Sequence, residues 1–205
     1  MARILVLGTN NAHKAEEIAP LLAGLGVDLR AASAYGAFDP EETGSTLEEN
    51  AIIKARAALA LSGEWSIADD TGLEVDALDG RPGIYAARYA GVGCTFQDNI
   101  AKLLRELEGV PEEKRTARFV CVIALCRPND EPALFRASCA GRILTRPLGG
   151  RGFGYDPIFF ALDAGKALAE LTLDEKNRLS HRARAVKLLR SELLNLQRQS
   201  ERMER

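Results

Sequence analysis

Apolar and polar residues alternate along the chain in two different patterns. Short runs rich in β-branched and other apolar residues predict strands at residues 3–7, 27–32, 66–69, 73–78, 117–126 and 133–144. Stretches with apolar residues three or four positions apart predict helices at residues 11–25, 46–61, 95–107 and 172–199. This alternation favours an α/β fold. The last two strands are long and consecutive, which favours an antiparallel hairpin in a mixed sheet.

Turn and capping residues set the boundaries of these elements. Thr46 and Glu49 have the spacing of a capping box, which marks a helix start. The last helix is expected to break near Ser180. Loops or turns are predicted at residues 36–45, 70–72 and 149–157.

Composition excludes several classes of protein. The 205 residues predict a single domain spanning 1–205. Hydrophobic residues make up 46% and charged residues 27%, which argues against a disordered chain or a membrane protein. The 27 basic and 29 acidic residues give a net charge of −2, so neither nucleic acid nor a membrane is an expected partner. A polyanionic ligand would need a local cluster of cations.

Targeting and metal motifs are also missing from the sequence. The apolar run at residues 4–7 is too short for a signal peptide, and no segment approaches the roughly 18 apolar residues of a membrane span. The four cysteines form no C-x-x-C pair and there are two histidines, so a zinc site is not expected. We therefore expect a reduced, cytoplasmic protein.

The segment Thr9-Asn10-Asn11-Ala12-His13-Lys14 lies between the first strand and the first helix. Free N–H groups at a helix start favour an anion, and a lysine in the first turn is unfavourable unless an anion compensates it. A phosphate site and a plain asparagine cap with a solvated Lys14 are both consistent with this pattern. The spacing is not that of a P-loop.

Carboxylates cluster in two places. Glu41 and Glu42 precede the second helix, and Asp69 and Asp70 follow a predicted strand, where their side chains leave on opposite faces. A cleft that gathers them would suit Mg²⁺, which takes one or two carboxylates plus substrate phosphates. The alternative is a pair of solvated acidic turns.

Three further clusters each have a structural alternative. Lys54 lies four residues after Asn50 on one helix face, where it faces either water or a phosphate. The glycine-rich loop at 149–157 holds aromatic residues, which suit either a flat ligand or the core. The segment 175–182 places cations near helix starts, and its His181 is equally consistent with a core or surface position.

Taken together, these clusters resemble the inosine triphosphate pyrophosphatase family. The stretches that carry the resemblance are TNNAHKAEEI, EETGSTLEENAIIKARAA, IADDTGLEVDALDGRPGIYAARYAG, GGRGFGYDPIFF and ELTLDEKNRLSHRARA. The resemblance runs from about residue 5 to 189. It implies Mg²⁺-dependent hydrolysis of ITP, dITP and XTP to the monophosphate and pyrophosphate. It also implies a homodimer and a two-lobed α/β fold, with a long central mixed β-sheet flanked by helices.

The resemblance also assigns roles to residues. It implies that Asp70 is the catalytic proton acceptor and, with Glu41 or the neighbouring Glu42, a metal ligand. The residues that it implies for substrate binding are Thr9, Asn10, Asn11, Ala12, His13, Lys14, Lys54, Thr71, Phe153, Gly154, Tyr155, Asp156, Lys176, His181 and Arg182. Whether Asp70 acts as a general base or as a metal ligand remains open. The alternatives are a Maf-like pyrophosphatase of other base specificity, a nucleotide-binding module without turnover, and a phosphosugar-binding protein.

Overall fold

The computed structural model describes residues 3–203, which form eight strands and five α-helices. The strands are β1 (Arg3–Leu7), β2 (Val27–Ala31), β3 (Trp65–Val75), β4 (Pro82–Gly83), β5 (Thr116–Cys126), β6 (Ala133–Ile143), β7 (Phe159–Ala161) and β8 (Lys166–Ala167). The helices are α1 (Ala12–Leu22), α2 (Leu47–Ser62), α3 (Phe96–Glu106), α4 (Leu173–Leu179) and α5 (His181–Met203).

The strands form one mixed sheet, as the sequence predicts. Its order is β2-β1-β3-β5-β6-β7-β8, and β4 pairs with β3. The pairs β1–β2 and β1–β3 are parallel, whereas β3–β4, β6–β7 and β7–β8 are antiparallel. The α/β fold class with a long mixed sheet and flanking helices is therefore confirmed.

Contacts between Cα atoms divide the chain into two compact units. Unit 1 consists of the chain up to Asp70, Val122–Ala137 and the chain from Arg182 onward, and unit 2 consists of Thr71–Cys121 and Ser138–His181. The single domain expected over 1–205 stays a prediction.

The core of unit 1 lies around β1, whose last three residues are buried. Val6 packs with Ala32, Phe38 and Ala58. Helix α5 contacts the segment that follows α1: Gln197 Nε2 donates to the Leu25 carbonyl at 2.7 Å. This side chain gives a hydrogen-bond partner to a carbonyl just beyond the end of α1.

Helix α2 presents small residues to the core and ends at a glycine. Thr46 is its N-cap, and the Thr46 side chain accepts a hydrogen bond from the Glu49 amide at 3.1 Å. The helix ends at Gly63, whose φ of 73° lies in the left-handed region that glycine adopts without strain. Small buried residues at Ala51, Ala55 and Ala58 let the helix approach its neighbours closely.

The turn predicted at residues 70–72 is wrong, because β3 runs without interruption through those residues. Asp69 and Asp70 lie inside the strand and are nearly buried, with exposures of 1% and 7%. Adjacent buried carboxylates are unusual in a strand, because burying a charge is costly unless a cation pairs with it. Those cations come from distant segments, so no local pattern could reveal the continuous strand.

Unit 2 has an apolar core of its own, to which β3, α3, β5, β6 and β7 contribute. Helix α3 begins with a complete capping box between Thr95 and Asp98. Beyond its end, the guanidinium of Arg115 donates to the Leu107 carbonyl at 2.8 Å and to the Val110 carbonyl at 3.0 Å. The predicted break near Ser180 is confirmed, since that residue separates α4 from α5.

Among residues 3–203, none of the helices has both the length and the apolar character that crossing a membrane requires.

Candidate active site

In unit 1, the Lys54 ammonium lies between two carboxylates. Its Nζ donates to Asp70 Oδ1 at 2.7 Å and to Glu42 Oε1 at 2.8 Å. Lys54 comes from the middle of α2, Asp70 from β3 and Glu42 from the loop before α2. Lys54 is 8% exposed, so its stem is covered, and it is not a solvated surface lysine.

Burial and charge shift the proton affinities of this group. Burial raises the pKa of Asp70 above its ordinary 3.8, and the opposing effect of Lys54 and Lys14 does not cancel the rise. For Lys54, burial by itself would lower the pKa. The carboxylates of Asp70, Asp69 and Glu42 outweigh that effect, so the pKa of Lys54 is raised above 10.5. Asp70 is therefore a carboxylate whose proton affinity is increased while the cation beside it stays charged.

Asp69 faces a second set of charges, as the alternation of side chains along a strand predicts. Asp69 Oδ2 lies 3.1 Å from Lys14 Nζ and accepts hydrogen bonds from Arg182 Nε at 3.2 Å and Nη2 at 3.1 Å. Arg182 also donates to Glu17. Burial alone would raise the pKa of Asp69, but Lys14, Arg182 and Lys54 outweigh it and hold that pKa well below its usual range.

The turn at residues 9–14 shows how Lys14 is tolerated in the first turn of α1. Asn11 is the N-cap of the helix, and its Oδ1 accepts from the amides of His13 at 3.0 Å and Lys14 at 3.3 Å. The Lys14 side chain is compensated by Asp69, and its Nζ also donates to the Asp69 carbonyl at 3.4 Å. The asparagine cap is therefore present, and the phosphate role of this turn stays a prediction.

The other residues of this turn differ in their environment. Thr9 Oγ1 accepts from the Asn11 amide at 3.1 Å, and Asn10 Nδ2 donates to the Phe38 carbonyl at 2.5 Å. Ala12 and His13 are exposed, and His13 lies 3.6 Å from the Glu16 carboxylate. Thr9 and Asn10 thus shape the turn itself.

The structure distinguishes between Glu41 and Glu42. Glu42 is the one of the two whose carboxylate reaches Lys54, and it is partly buried. Glu41 is exposed, and its carbonyl accepts from the Thr43 amide at 3.1 Å in a tight turn. The structure therefore brings Glu42 and Asp70 to a common ammonium and leaves Glu41 on the surface.

These two carboxylates are the donor set that the structure offers to a hard cation. Over residues 3–203, no three or more histidine, cysteine, aspartate or glutamate side chains come together as a metal-binding group. Mg²⁺ does not require such a group, because it usually keeps several waters and takes one or two carboxylates plus substrate phosphates. Glu42 and Asp70 therefore fit a magnesium ion that arrives with a polyphosphate.

In unit 2, a buried ion pair underlies the glycine-rich loop. Lys176, from α4, donates to Asp156, and their exposures are 4% and 2%. Asp156 Oδ2 also accepts from the Phe153 amide at 2.9 Å, and Lys176 Nζ lies 5.0 Å from the centre of the Phe153 ring. The pair thereby fixes the main chain at Phe153, whose ring is partly exposed and lies 6.0 Å from that of Phe96.

Glycines allow this loop to pack closely. A Cβ at Gly152 would lie 2.1 Å from Asp156 Oδ2, and one at Gly149 would lie 2.4 Å from the backbone of Ala169. Gly154 has a φ of 60°. The loop therefore needs glycine both for close approach and for conformation.

Tyr155 and His181 are core residues of unit 2. The Tyr155 hydroxyl donates to the Ala86 carbonyl at 2.9 Å, and burial raises the pKa of that hydroxyl. His181 is 2% exposed and stacks on Phe119, with ring centres 4.6 Å apart. Thr71 follows Asp70 on β3 and is partly buried.

The charge network also contains a residue that the sequence predictions missed. Glu17, on α1, is 4% exposed and pairs with Arg182. It lies one turn after Lys14, so both residues share a helix face. In the sequence, the position of Glu17 next to the apolar Ile18 was the one sign that its carboxylate is buried. A single acidic residue on an amphipathic helix is too common for that position to predict burial.

Buried lysines and carboxylates gathered around two adjacent aspartates in a mixed α/β fold are consistent with an enzyme that acts on phosphates. The model of the Ham1 family matches residues 5–192, so the chain belongs to the Ham1 family. The resemblance noted from the sequence is confirmed.

Individual relatives agree with this assignment. The chain is 50% identical over 187 residues to a dITP/XTP pyrophosphatase of Yersinia pseudotuberculosis, covering 90% of this chain and 95% of that protein. It is also 50% identical over 183 residues to a dITP/XTP pyrophosphatase of Geobacillus kaustophilus, covering 89% of this chain and 90% of that one.

Solved structures show the same fold. The Ham1 protein of Coxiella burnetii superposes with a TM-score of 0.86 at 39% identity, covering 94% of this chain and 99% of that one. The Ham1 protein of Staphylococcus aureus gives a TM-score of 0.84 at 41% identity, with the same coverage.

Proposed function

We propose that this chain is a Mg²⁺-dependent nucleoside triphosphate pyrophosphatase, which hydrolyses dITP, ITP and XTP to the monophosphate and pyrophosphate. The observation that carries the proposal is the arrangement of Glu42, Lys54 and Asp70 in unit 1, with two carboxylates on one buried ammonium. The names of relatives about 50% identical to the chain support the substrate class. Removal of such nucleotides would cleanse the nucleotide pool.

The reaction requires cleavage between the α and β phosphorus atoms. A water oxygen attacks the α-phosphorus in line, the bond to the bridging oxygen breaks, and pyrophosphate leaves. The water proton is accepted by Asp70, or it is lost to solvent if Asp70 serves only as a metal ligand. Because burial raises the pKa of Asp70, its carboxylate is a stronger base than an ordinary aspartate.

Charge neutralisation supplies most of the remaining catalysis. Lys54 and Lys14 are the cations of unit 1 that we assign to the triphosphate, together with the N–H groups of the turn at 9–14. Glu42 and Asp70 would hold the magnesium ion, which when bound screens phosphate charge and acidifies water. Lys54 keeps the two carboxylates together, and Asp69 holds Lys14 in place.

Recognition of the base is a separate proposal. Hypoxanthine and xanthine carry an oxygen at position 6, where adenine carries an amine. We assign the donors for that oxygen to Lys176 or His181, and the stacking surface to Phe153 in the loop with Gly154, Tyr155 and Asp156. The base-recognition role that the family resemblance implies for Arg182 stays a prediction. A buried mismatch at position 6 costs about 1–3 kcal/mol.

Assembly and location are also proposals. The family resemblance supports a homodimer in the cytoplasm. Light scattering coupled to gel filtration gives the mass of the particle, and a monomer at micromolar concentration would contradict the dimer.

The function is tested by release of pyrophosphate from ATP, GTP, ITP, XTP and dITP, with and without Mg²⁺. We expect turnover of the last three nucleotides in the presence of Mg²⁺, with ATP the poorer substrate. Preference for ATP or GTP would favour the Maf-like alternative. Binding without turnover would favour a nucleotide-binding module and refute the proposed enzyme.

A further inference from the structure

Asn50 is a buried amide within α2, one helical turn before Lys54. The side chain is 0% exposed, and its Oδ1 accepts from the Gly44 amide at 2.8 Å. Its Nδ2 has no hydrogen-bond partner in the part of the chain that the structure describes. The amide orientation follows from chemistry, because an N–H group at Gly44 requires the oxygen and not the nitrogen.

Gly44 approaches the helix more closely than any other residue type could. A Cβ at this position would lie 2.6 Å from Asn50 Oδ1 and 2.7 Å from Glu49 Cβ. Real Cβ atoms do not come that close to other heavy atoms. The contact therefore depends on both partners, a glycine in the loop and an acceptor oxygen on the helix.

The loop before α2 meets the helix at three points. Glu42 pairs with Lys54, Gly44 bonds to Asn50, and the Ser45 amide donates to Glu49 Oε2 at 2.6 Å. Ser45 and Glu49 are exposed, and the Glu42 side chain is 32% exposed. Of these three contacts, the one at Gly44 is made to a wholly buried side chain, that of Asn50. Gly44 lies two residues after Glu42 in the sequence.

We infer that Asn50 is a positioning residue, which holds the Glu42 carboxylate beside Lys54 and Asp70 by fixing the main chain at Gly44. A buried amide with an unsatisfied N–H donor costs free energy that an apolar side chain of the same size would avoid. We therefore infer that the fold needs the acceptor oxygen of Asn50. The consequence for metal binding rests on the proposed function. Asn50 acts through Glu42 and need not touch the substrate.

The first test is independent of activity. Hydrogen exchange at the Gly44 amide is measured in the wild type and in the Asn50→Leu variant. Leucine is similar in size to asparagine but has no acceptor oxygen. Exchange at Gly44 should be about tenfold faster in Asn50→Leu than in the wild type. Unchanged exchange in Asn50→Leu would overturn the inference.

The second test measures the Mg²⁺ concentration that gives half-maximal release of pyrophosphate from dITP. Asn50→Leu should raise that concentration about tenfold, the scale of losing a supporting contact around a metal site. In a protein that already carries Glu42→Gln, Asn50→Leu should not raise the half-maximal Mg²⁺ concentration any further. Asn50 acts through the Glu42 carboxylate, and that carboxylate is already absent. An equal rise in both backgrounds would show that Asn50 does not act through Glu42.

A matched control comes from unit 2. Asn99 is 2% exposed, its Oδ1 accepts from the Ala90 amide at 2.7 Å, and its Nδ2 donates to the Ala87 carbonyl at 3.1 Å. Asn99→Leu removes a similar contact to a loop and should leave the Mg²⁺ requirement unchanged. If Asn99→Leu raised the half-maximal Mg²⁺ concentration by the same factor, the effect of Asn50→Leu would be due to general destabilisation. That result would overturn the inference. If the wild type releases no pyrophosphate, the proposed function fails, and hydrogen exchange still decides the role of Asn50.

Discussion

Replacing Lys54 by methionine should destabilise the protein far more than replacing a surface cation does. Methionine keeps the length and apolar character of the side chain but removes the charge. Asp70 would then be a carboxylate with a 9% exposed side chain that has lost the ammonium 2.7 Å away. Removing one partner of a buried ion pair costs about 3–5 kcal/mol. We expect about 3 kcal/mol at pH 7, the low end of that range, because Glu42 can turn toward water.

The cost should depend on pH in a definite direction. The pKa of Asp70 is already raised above 3.8 by burial, and loss of Lys54 raises it further. A carboxyl with a raised folded-state pKa contributes stability that is complete below the unfolded pKa and is lost as the pH rises through the folded pKa. The difference between Lys54→Met and wild type should therefore be largest at pH 7–8 and shrink toward pH 4.

Urea unfolding at several pH values measures these free energies. The matched control is Arg136→Met, which breaks the pair with Glu48 in the same unit, where Arg136 is 51% exposed. An exposed pair contributes less than about 1 kcal/mol. Adding Asp70→Asn to Lys54→Met should recover most of the lost stability, because the uncompensated charge is gone. Equal costs for both cations, or a cost that does not vary with pH, would refute the reasoning.

Three other substitutions test different parts of the site. Asp70→Asn should reduce kcat at least about a hundredfold, the scale of losing one general base, and near wild-type turnover would contradict the catalytic role of Asp70. Arg182→Met should lower the free energy of unfolding in urea by more than about 3 kcal/mol, because the buried carboxylates of Asp69 and Glu17 both lose their guanidinium partner. A loss as small as that of Arg136→Met would contradict the charge network. Phe153→Ala should weaken substrate affinity by about 1–3 kcal/mol with folding intact, if the ring stacks on the base, whereas an unchanged KM would assign the ring to the core.

Most of the local structure could be predicted from the order of the amino acids. Hydrophobic periodicity placed β1, α2, α3, β5 and β6 to within a few residues, because each of these elements has a local pattern and capping residues of its own. The break at Ser180 was visible from the same signals. Long motifs along nearly the whole chain also carried the family resemblance, because they do not depend on knowing which side chains meet.

Which charged side chains face one another depends on how remote segments pack. Asp69 and Asp70 stay inside one strand because Lys14, Lys54 and Arg182 reach them from three separate segments. The same packing places Glu42 beside Lys54 and leaves Glu41 exposed, a choice between neighbours that composition cannot make. The strength of an ion pair depends on distance and burial, and these exist only once remote segments have packed together.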